Sequence, residues 1–394
     1  SLTCLIMNHP YRISLSNRSL LYAVFGILAL LLGCGNPPPV SDPLQAVLSV
    51  QDSSRARVLA DPYNYEVLIR YSRILRQGDS VTFSDYDFRV DSARYFYPAS
   101  TVKFPVALAA LEKLNELDSL DRNTRYYIEG DSVEKSFEKD IIEIFAVSDN
   151  HANNRLFEFL GHDEINRRIA EKGAGPFRVS HRLGFHRDVL TTQPLVIYLN
   201  DTLTTLSSPI INSPPRLLEF NGVFKGSGYM EGDSLIREPF DFRKKNHLPV
   251  TTLDGLMKRV VFPEAFPTNQ RIQISGEQRA FLMETMKILP RQAGYDPETY
   301  PDGYCKFFLY GDTEQRIPDH MEIYNKVGFA YGTLTDCAYI RDRESGIEFL
   351  LTATILVNRD GVFNDDLYEY EEIGLPFLAA LGRHLYEYER NQIR

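Results

Sequence analysis

Residues 96–117 read FYPASTVKFPVALAALEKLNEL, a short lead-in followed by a long apolar segment. Pro98 and Ala99 lead into Ser100, after which apolar residues recur at Val102, Val106, Leu108, Ala109, Leu111 and Leu114. This spacing predicts a helix with a broad apolar face, hence one largely buried. Ser100 stands at its start and Lys103 three residues on, so the two side chains share one face about one turn apart. A hydroxyl within reach of an amine that is partly desolvated has the makings of a nucleophile and its base. The helix N-terminus favours negative charge developing nearby. Alone, the Ser-x-x-Lys spacing is weak, because a helix cap followed by a solvated lysine has the same letters. The apolar helix after Lys103 argues against a solvated face.

Working outward, the N-terminal side holds a helix expected from about Asp42 to Val58, with Ser41 as N-cap and Asp61-Pro62 as its end. Two strand-like runs follow, Tyr65–Leu75 and Ser80–Val90, with Gln77-Gly78-Asp79 as a hairpin turn. On the C-terminal side a helical region covers roughly 133 to 172. Leu190 to Asn246 is rich in Pro and Gly and reads as an irregular or hairpin-bearing insertion. Helical pattern resumes at Leu253–Val261 and Gly276–Ile288. Three strands are expected near Tyr324–Tyr331, Thr335–Arg341 and Ile347–Val357, and a last amphipathic helix over Leu375–Arg390. Strands split between the two ends of a chain form one sheet only if the ends meet in space. The fold class is therefore α/β of the α+β kind: an antiparallel five-stranded sheet flanked by helices, plus an all-α part from the middle.

Two further motifs carry chemistry. Ser148-Asp149-Asn150 opens a helix; the plainer reading is an N-cap cluster. The functional reading makes Ser148 a hydroxyl that relays a proton to a leaving nitrogen, and Asn150 an amide that holds the lysine and the substrate. Asn325-Lys326-Val327-Gly328-Phe329 places a lysine on a strand with a glycine two residues on. Gly328 would let an acyl substrate lie against the strand edge, and Lys326 would supply positive charge near Ser148. The plainer reading there is an exposed lysine on an edge strand.

Taken together, in this order and on these elements, the three motifs resemble the class A β-lactamases and penicillin-recognising serine hydrolases, from about residue 42 to the C-terminus. Tyr331-Gly332-Thr333 with Asp336, and His247-Leu248-Pro249-Val250 before a helix, are similar to that family's turns. The resemblance implies that Ser100 is acylated by a β-lactam amide or a cell-wall peptide and that Lys103 accepts its proton. Ser148 would relay that proton, Asn150 would position Lys103 and the substrate amide, and Lys326 would bind the substrate carboxylate. The backbone N–H groups of Ser100 and Phe329 would form the oxyanion hole. It implies no metal or organic cofactor. The implied catalytic domain is 42–394, with an α/β part from 42–99 and 320–394, a helical part from 100–319 and the insertion at 190–246.

Three departures from the family stand out. Val327 occupies a position where the family carries Thr or Ser. The region where its deacylating Glu is expected, Phe177 to Asp188 (FRVSHRLGFHRD), contains no Glu. Glu238-Pro239 is the nearest similar dipeptide, and Glu238 is either a displaced base or, the favoured reading, an ordinary loop residue. His181 and His186 fall in the same region; a histidine serves as a base elsewhere, but two surface loop histidines are the plainer reading. Finally, the insertion would reshape the cleft. Without a deacylating base the acyl-enzyme would hydrolyse slowly, as in a penicillin-binding protein. The leading reading is a class A-like serine β-lactamase in which Glu238 or another base activates the water that hydrolyses the acyl-enzyme; the second is a related serine hydrolase of cell-wall peptides or another amide or ester with Lys103 as base; the third is a non-catalytic envelope-bound binding module.

The remaining features set the surroundings. Arg12 and Arg18 precede the 13-residue apolar run Leu20–Leu32, followed by Gly33 and Cys34. A spanning helix needs roughly 20 residues, so 1–33 is read as a secretory signal. Leu31-Leu32-Gly33-Cys34 resembles the bacterial lipobox, which implies lipidation at Cys34, a tether over 34–41 and a cell-envelope location. A net charge of −10 without Lys/Arg runs argues against nucleic acid as a partner. Cys305 and Cys337 are either paired or free, with no zinc-ligand spacing around them. A monomer is expected.

Overall fold

The computed structural model describes residues 42–50 and 52–392. The expected leader 1–33, the candidate lipidated Cys34, the tether 34–41 and the expected cap Ser41 lie outside the described residues.

Two helices, α1 (Pro43–Leu48) and α2 (Ser53–Ala60), replace the single helix expected over 42–58. The reason is Asp52, whose carboxylate accepts the N–H groups of Ser54 and Arg55 and so starts a second helix. Strands β1 (Val67–Gln77) and β2 (Ser80–Phe88) pair through the two-residue loop Gly78-Asp79, with Gly78 at φ +60°. That left-handed backbone is what a tight hairpin requires and what glycine adopts without strain. Next come α3 (Lys103–Glu116), α4 (Phe137–Ala146), α5 (Asn150–Leu160) and α6 (His162–Ala170). After the irregular stretch, α7 (Val250–Val261) and α8 (Gly276–Met286) precede β3 (Met321–Ala330), β4 (Thr333–Asp342) and β5 (Glu348–Leu356), and α9 (Leu375–Gln392) ends the described chain.

The five strands form one antiparallel sheet in the order β3-β4-β5-β1-β2. Pairing of β1 with β5, Val67 opposite Ile355, joins the two ends of the chain. Both faces are covered. Tyr324, Cys337, Tyr339 and Leu350 pack with the apolar face of α3 and with α5, α7 and α8. Their neighbours Ile323, Ala338, Ile340, Phe349 and Leu351 point the other way, onto α1 and α9. Cover on both sides explains why these strands read as nearly continuous apolar runs.

The stretch 190–246 carries short antiparallel pairs, among them Gly228–Glu231 with Ser234–Ile236 and Phe240–Asp241 with Phe224–Lys225. Phe240 and Phe242 stack in an aromatic cluster with Tyr97 and Tyr331, which ties the insertion to the residues just before Ser100 and just after Phe329. Cys305 and Cys337 are both buried free thiols. Among the described residues no helix is long and apolar enough to cross a membrane.

Candidate active site

Ser100 lies in a single 3-10 turn, Ala99–Val102, that runs directly into α3. In a 3-10 turn residues three apart eclipse one another, so the turn stacks Lys103 directly over Ser100. Ala99 holds φ +48°, in the left-handed region that costs a non-glycine residue about 1 kcal/mol or more. Thr101 secures the turn by donating both its N–H (3.1 Å) and its hydroxyl (2.6 Å) to the Pro98 carbonyl.

Lys103 is completely buried. Its amine donates to the carbonyl of Ser148 and, at 3.2 Å, to the Ser148 hydroxyl oxygen. From the other side the Lys326 amine donates to the same hydroxyl oxygen at 2.8 Å and to the Val327 carbonyl at 2.7 Å. Ser148 thus bridges two lysines, one from α3 and one from edge strand β3, and it too is held at positive φ, +58°. Burial, with the neighbouring Lys326 charge as second cause, holds the Lys103 amine well below the usual lysine range. Burial lowers Lys326 to about 8. The arrangement favours an uncharged amine beside Ser100 and offers a hydroxyl through which a proton can pass.

Gly328 explains how β3 comes so close. A Cβ there would sit 2.6 Å from the Thr101 nitrogen, 2.7 Å from the Ser100 nitrogen and 2.9 Å from the Pro98 carbonyl oxygen. All three are backbone atoms with nowhere to move. Gly328→Ala is expected to push β3 off the Ser100 turn and lower the rate of Ser100 acylation by about 10²–10³-fold, the scale of a lost oxyanion donor. Stopped-flow acylation, with circular dichroism to confirm the fold, checks this.

Ser100, Lys103, Ser148, Lys326 and Gly328 are therefore brought together. Asn150 is exposed in the first turn of α5, and among the described residues no hydrogen bond joins it to Lys103, which Ser148 holds instead. Asp149 is the residue that caps this helix, accepting the Ala152 N–H at 2.7 Å. Phe329 is half exposed, its ring against Tyr370. Lys326 is buried rather than an exposed edge lysine. Glu238 is exposed on the turn before Phe240, and among the described residues no hydrogen bond or ion pair links it to Ser100, Lys103 or Ser148.

The segment 177–188 does other work. Arg182 forms a buried two-point ion pair with Glu158 of α5 (2.5 and 2.8 Å), and the Asn154 amide pairs with the Leu183 backbone in both directions. Arg187 donates to the Tyr331 hydroxyl at 2.6 Å. His181 is not a surface residue: it is buried, its Nδ1 lies 2.6 Å from the Arg182 carbonyl, and burial pushes its pKa down to about 3. His186 is exposed.

A buried network behind Lys326 was not legible beforehand. The Lys306 amine donates to Asn325 Oδ1 at 2.6 Å, and Asn325 Nδ2 donates to Asp336 Oδ1 at 2.9 Å and to the Cys305 carbonyl at 2.8 Å. Asp336 Oδ2 accepts the N–H groups of Phe307 and Phe308. The available signal was a lysine and an aspartate inside apolar runs, which are paired when buried.

Residues 78–207 match the family model described as the beta-lactamase enzyme family, Beta-lactamase2. Among curated proteins no significant match is found. The chain is similar to a solved β-lactamase from Xanthomonas campestris at 14% identity and TM-score 0.52, covering 87% of this chain and 96% of that one. It is similar to PBP-A at 14% identity and TM-score 0.51, over 88% and 96% of the two chains. It is also similar to a β-lactamase from Sphaerobacter thermophilus at 14% identity and TM-score 0.50, again over 88% and 96%. The chain has the β-lactamase fold, and its segment 78–207, which holds Ser100, Lys103, Ser148 and Asn150, matches the model of the beta-lactamase enzyme family.

Proposed function

We propose that this protein is a serine acyl-transfer hydrolase of the penicillin-recognising kind, which acylates fast and deacylates slowly with β-lactams. The carrying observation is the chain Lys103–Ser148–Lys326 beside Ser100, with both lysines buried. Neutral Lys103 takes the Ser100 proton as Oγ attacks the amide carbonyl. The Ser148 hydroxyl passes a proton to the leaving nitrogen as the C–N bond breaks, and the Lys326 charge favours that direction. Water then cleaves the ester.

Slow deacylation is favoured by where the carboxylates lie. Among the described residues none hydrogen-bonds to Ser100, Lys103 or Ser148. Asp149 is committed to its cap, and Glu143 to Lys135 at 2.7 Å. A fast β-lactamase would need Glu238 to move in from the surface. The residues before the fold support a place in the cell envelope, anchored through Cys34.

Time-resolved intact mass of residues 35–394 with a penicillin, beside Ser100→Ala, tests the reading. An adduct persisting for hours on Ser100 and absent from the variant is expected. Clearance within seconds would support a fast β-lactamase, and no adduct would refute acylation by β-lactams.

A further inference from the structure

A cavity of about 590 Å³ opens beside the site, within the range that holds a drug-sized group. Its walls are aromatic: Tyr304, Phe307, Phe329 and Tyr370. Phe329 and Tyr304 are among the exposed large apolar side chains of the chain, and exposed aromatics around one hollow mark a binding surface. The Phe329 ring lies 5.4 Å from that of Tyr370, edge to face.

The cavity is joined to Ser100 through two walls. Phe329 follows Gly328, where an added Cβ would run into the Ser100 and Thr101 nitrogens, so its backbone lies beside the Ser100 turn while its side chain lines the cavity. The 304–308 wall is fastened to β3 and β4 by Asn325 at the Cys305 carbonyl and by Asp336 at the Phe307 and Phe308 amides. A substrate whose carbonyl sat over Ser100 would reach this space by passing over the β3 edge at Phe329.

Its charge is the informative part. Among the described residues no Lys or Arg lines the cavity, whereas Asp312, Glu314 and Glu371 do. Asp312 is held by Arg383 at 2.7 and 2.8 Å. Glu314 and Glu371 are exposed and make no ion pair among the described residues. On β3, Val327 offers no hydroxyl and is buried on the far face. A carboxylate entering here would meet like charge. An ammonium group would meet aromatic faces and carboxylates, both of which attract it.

We infer that this cavity is the subsite for the far end of the substrate's leaving group, past the point where Lys326 would meet a β-lactam carboxylate, and that it takes an amine on an apolar or aromatic stem rather than a carboxylate. The inference rests on Ser100 being the nucleophile, and the step it describes is ordinary acyl transfer. The ester or amide bond breaks, Ser100 Oγ bonds to the acyl carbon, and the leaving group departs with the proton.

The test uses three esters with one acyl group and leaving groups of equal length ending in trimethylammonium, hydroxyl or carboxylate. Acylation of Ser100 is read by intact mass. The ammonium ester is expected to exceed the carboxylate ester by about tenfold or more in kcat/KM, with the hydroxyl ester between. Glu314→Gln with Glu371→Gln is expected to abolish the preference. Separately, the Ser100→Ala protein is expected to bind phenyltrimethylammonium but not phenylacetate in saturation-transfer NMR, and to lose that binding when both glutamates are replaced. Acylation by all three esters at equal rates would overturn the subsite and leave the Ser100 reading intact. No acylation, with glutamate-dependent binding of the cation retained, would overturn the Ser100 reading and leave the cavity a cation site. Absence of binding to the Ser100→Ala protein would overturn the cavity assignment.

Discussion

Lys103→Met is expected to slow acylation of Ser100 by about 10²–10⁴-fold, the usual contribution of a general base, with the fold intact. Methionine matches the buried stem and leaves no charge behind, so the loss is one of proton transfer. The Lys103 amine donates to Ser148, and its own lone pair is the group beside Ser100 that can accept a proton. Burial favours the uncharged amine and so frees that lone pair. The sign of the pH dependence follows. Acid protonates Lys103 and removes the base, so acylation falls on the acidic side. Lys326, lowered to about 8, loses its charge as pH rises through that value, so acylation falls again on the basic side. A bell whose basic limb lies near pH 8 is expected in wild type, and Lys326→Met should remove that limb. A rate without a basic limb near pH 8 in wild type would refute the role of the Lys326 charge, and an unchanged acylation rate in Lys103→Met would rule out Lys103 as base.

Arg182→Ala is expected to destabilise the protein by about 3–5 kcal/mol, the cost of leaving a buried partner charge alone. The pair is 2% and 1% exposed at Arg182 and Glu158. The guanidinium also donates to the carbonyls of Val189 and Thr191, and Glu158 accepts the Gln193 N–H. Removing Arg182 therefore unfastens the loop from α5, the helix whose first turn follows Ser148. The double change Arg182→Met with Glu158→Leu is expected to cost much less, because no charge is left unpaired. Urea denaturation of the three proteins decides the matter. Equal destabilisation by the single and double variants would mean that packing, not charge, holds the loop.

The two variants also show why some parts of the molecule were readable and others not. Ser100 and Lys103 are three residues apart, and one helical turn places them together whatever the rest of the chain does. The helix periodicity of 102–114 and the hairpin at Gly78 are equally local. The break at Asp52 between α1 and α2 was a local signal that the apolar pattern masked. Arg182 and Glu158 are 24 residues apart, and nothing in FRVSHRLGFHRD says that its second arginine is buried while its histidines divide between core and surface.

Glu238 and Asn150 mark the same divide at the site. Motif spacing named both, but whether a side chain reaches a lysine depends on loop paths and on competing partners. Here Ser148 occupies the Lys103 amine, and Glu238 stays on the surface. Local spacing and periodicity, which act over one turn or one pleat, were enough to give the candidate nucleophile and the lysine one turn from it, the strand–helix order and the antiparallel sheet. The bridge of Ser148 between Lys103 and Lys326, the network behind Lys326 and the acidic aromatic cavity beside Phe329 join residues 11 to 178 positions apart. They exist because the β3 edge packs against the Ser100 turn, and long-range packing of that kind leaves no period in the chain.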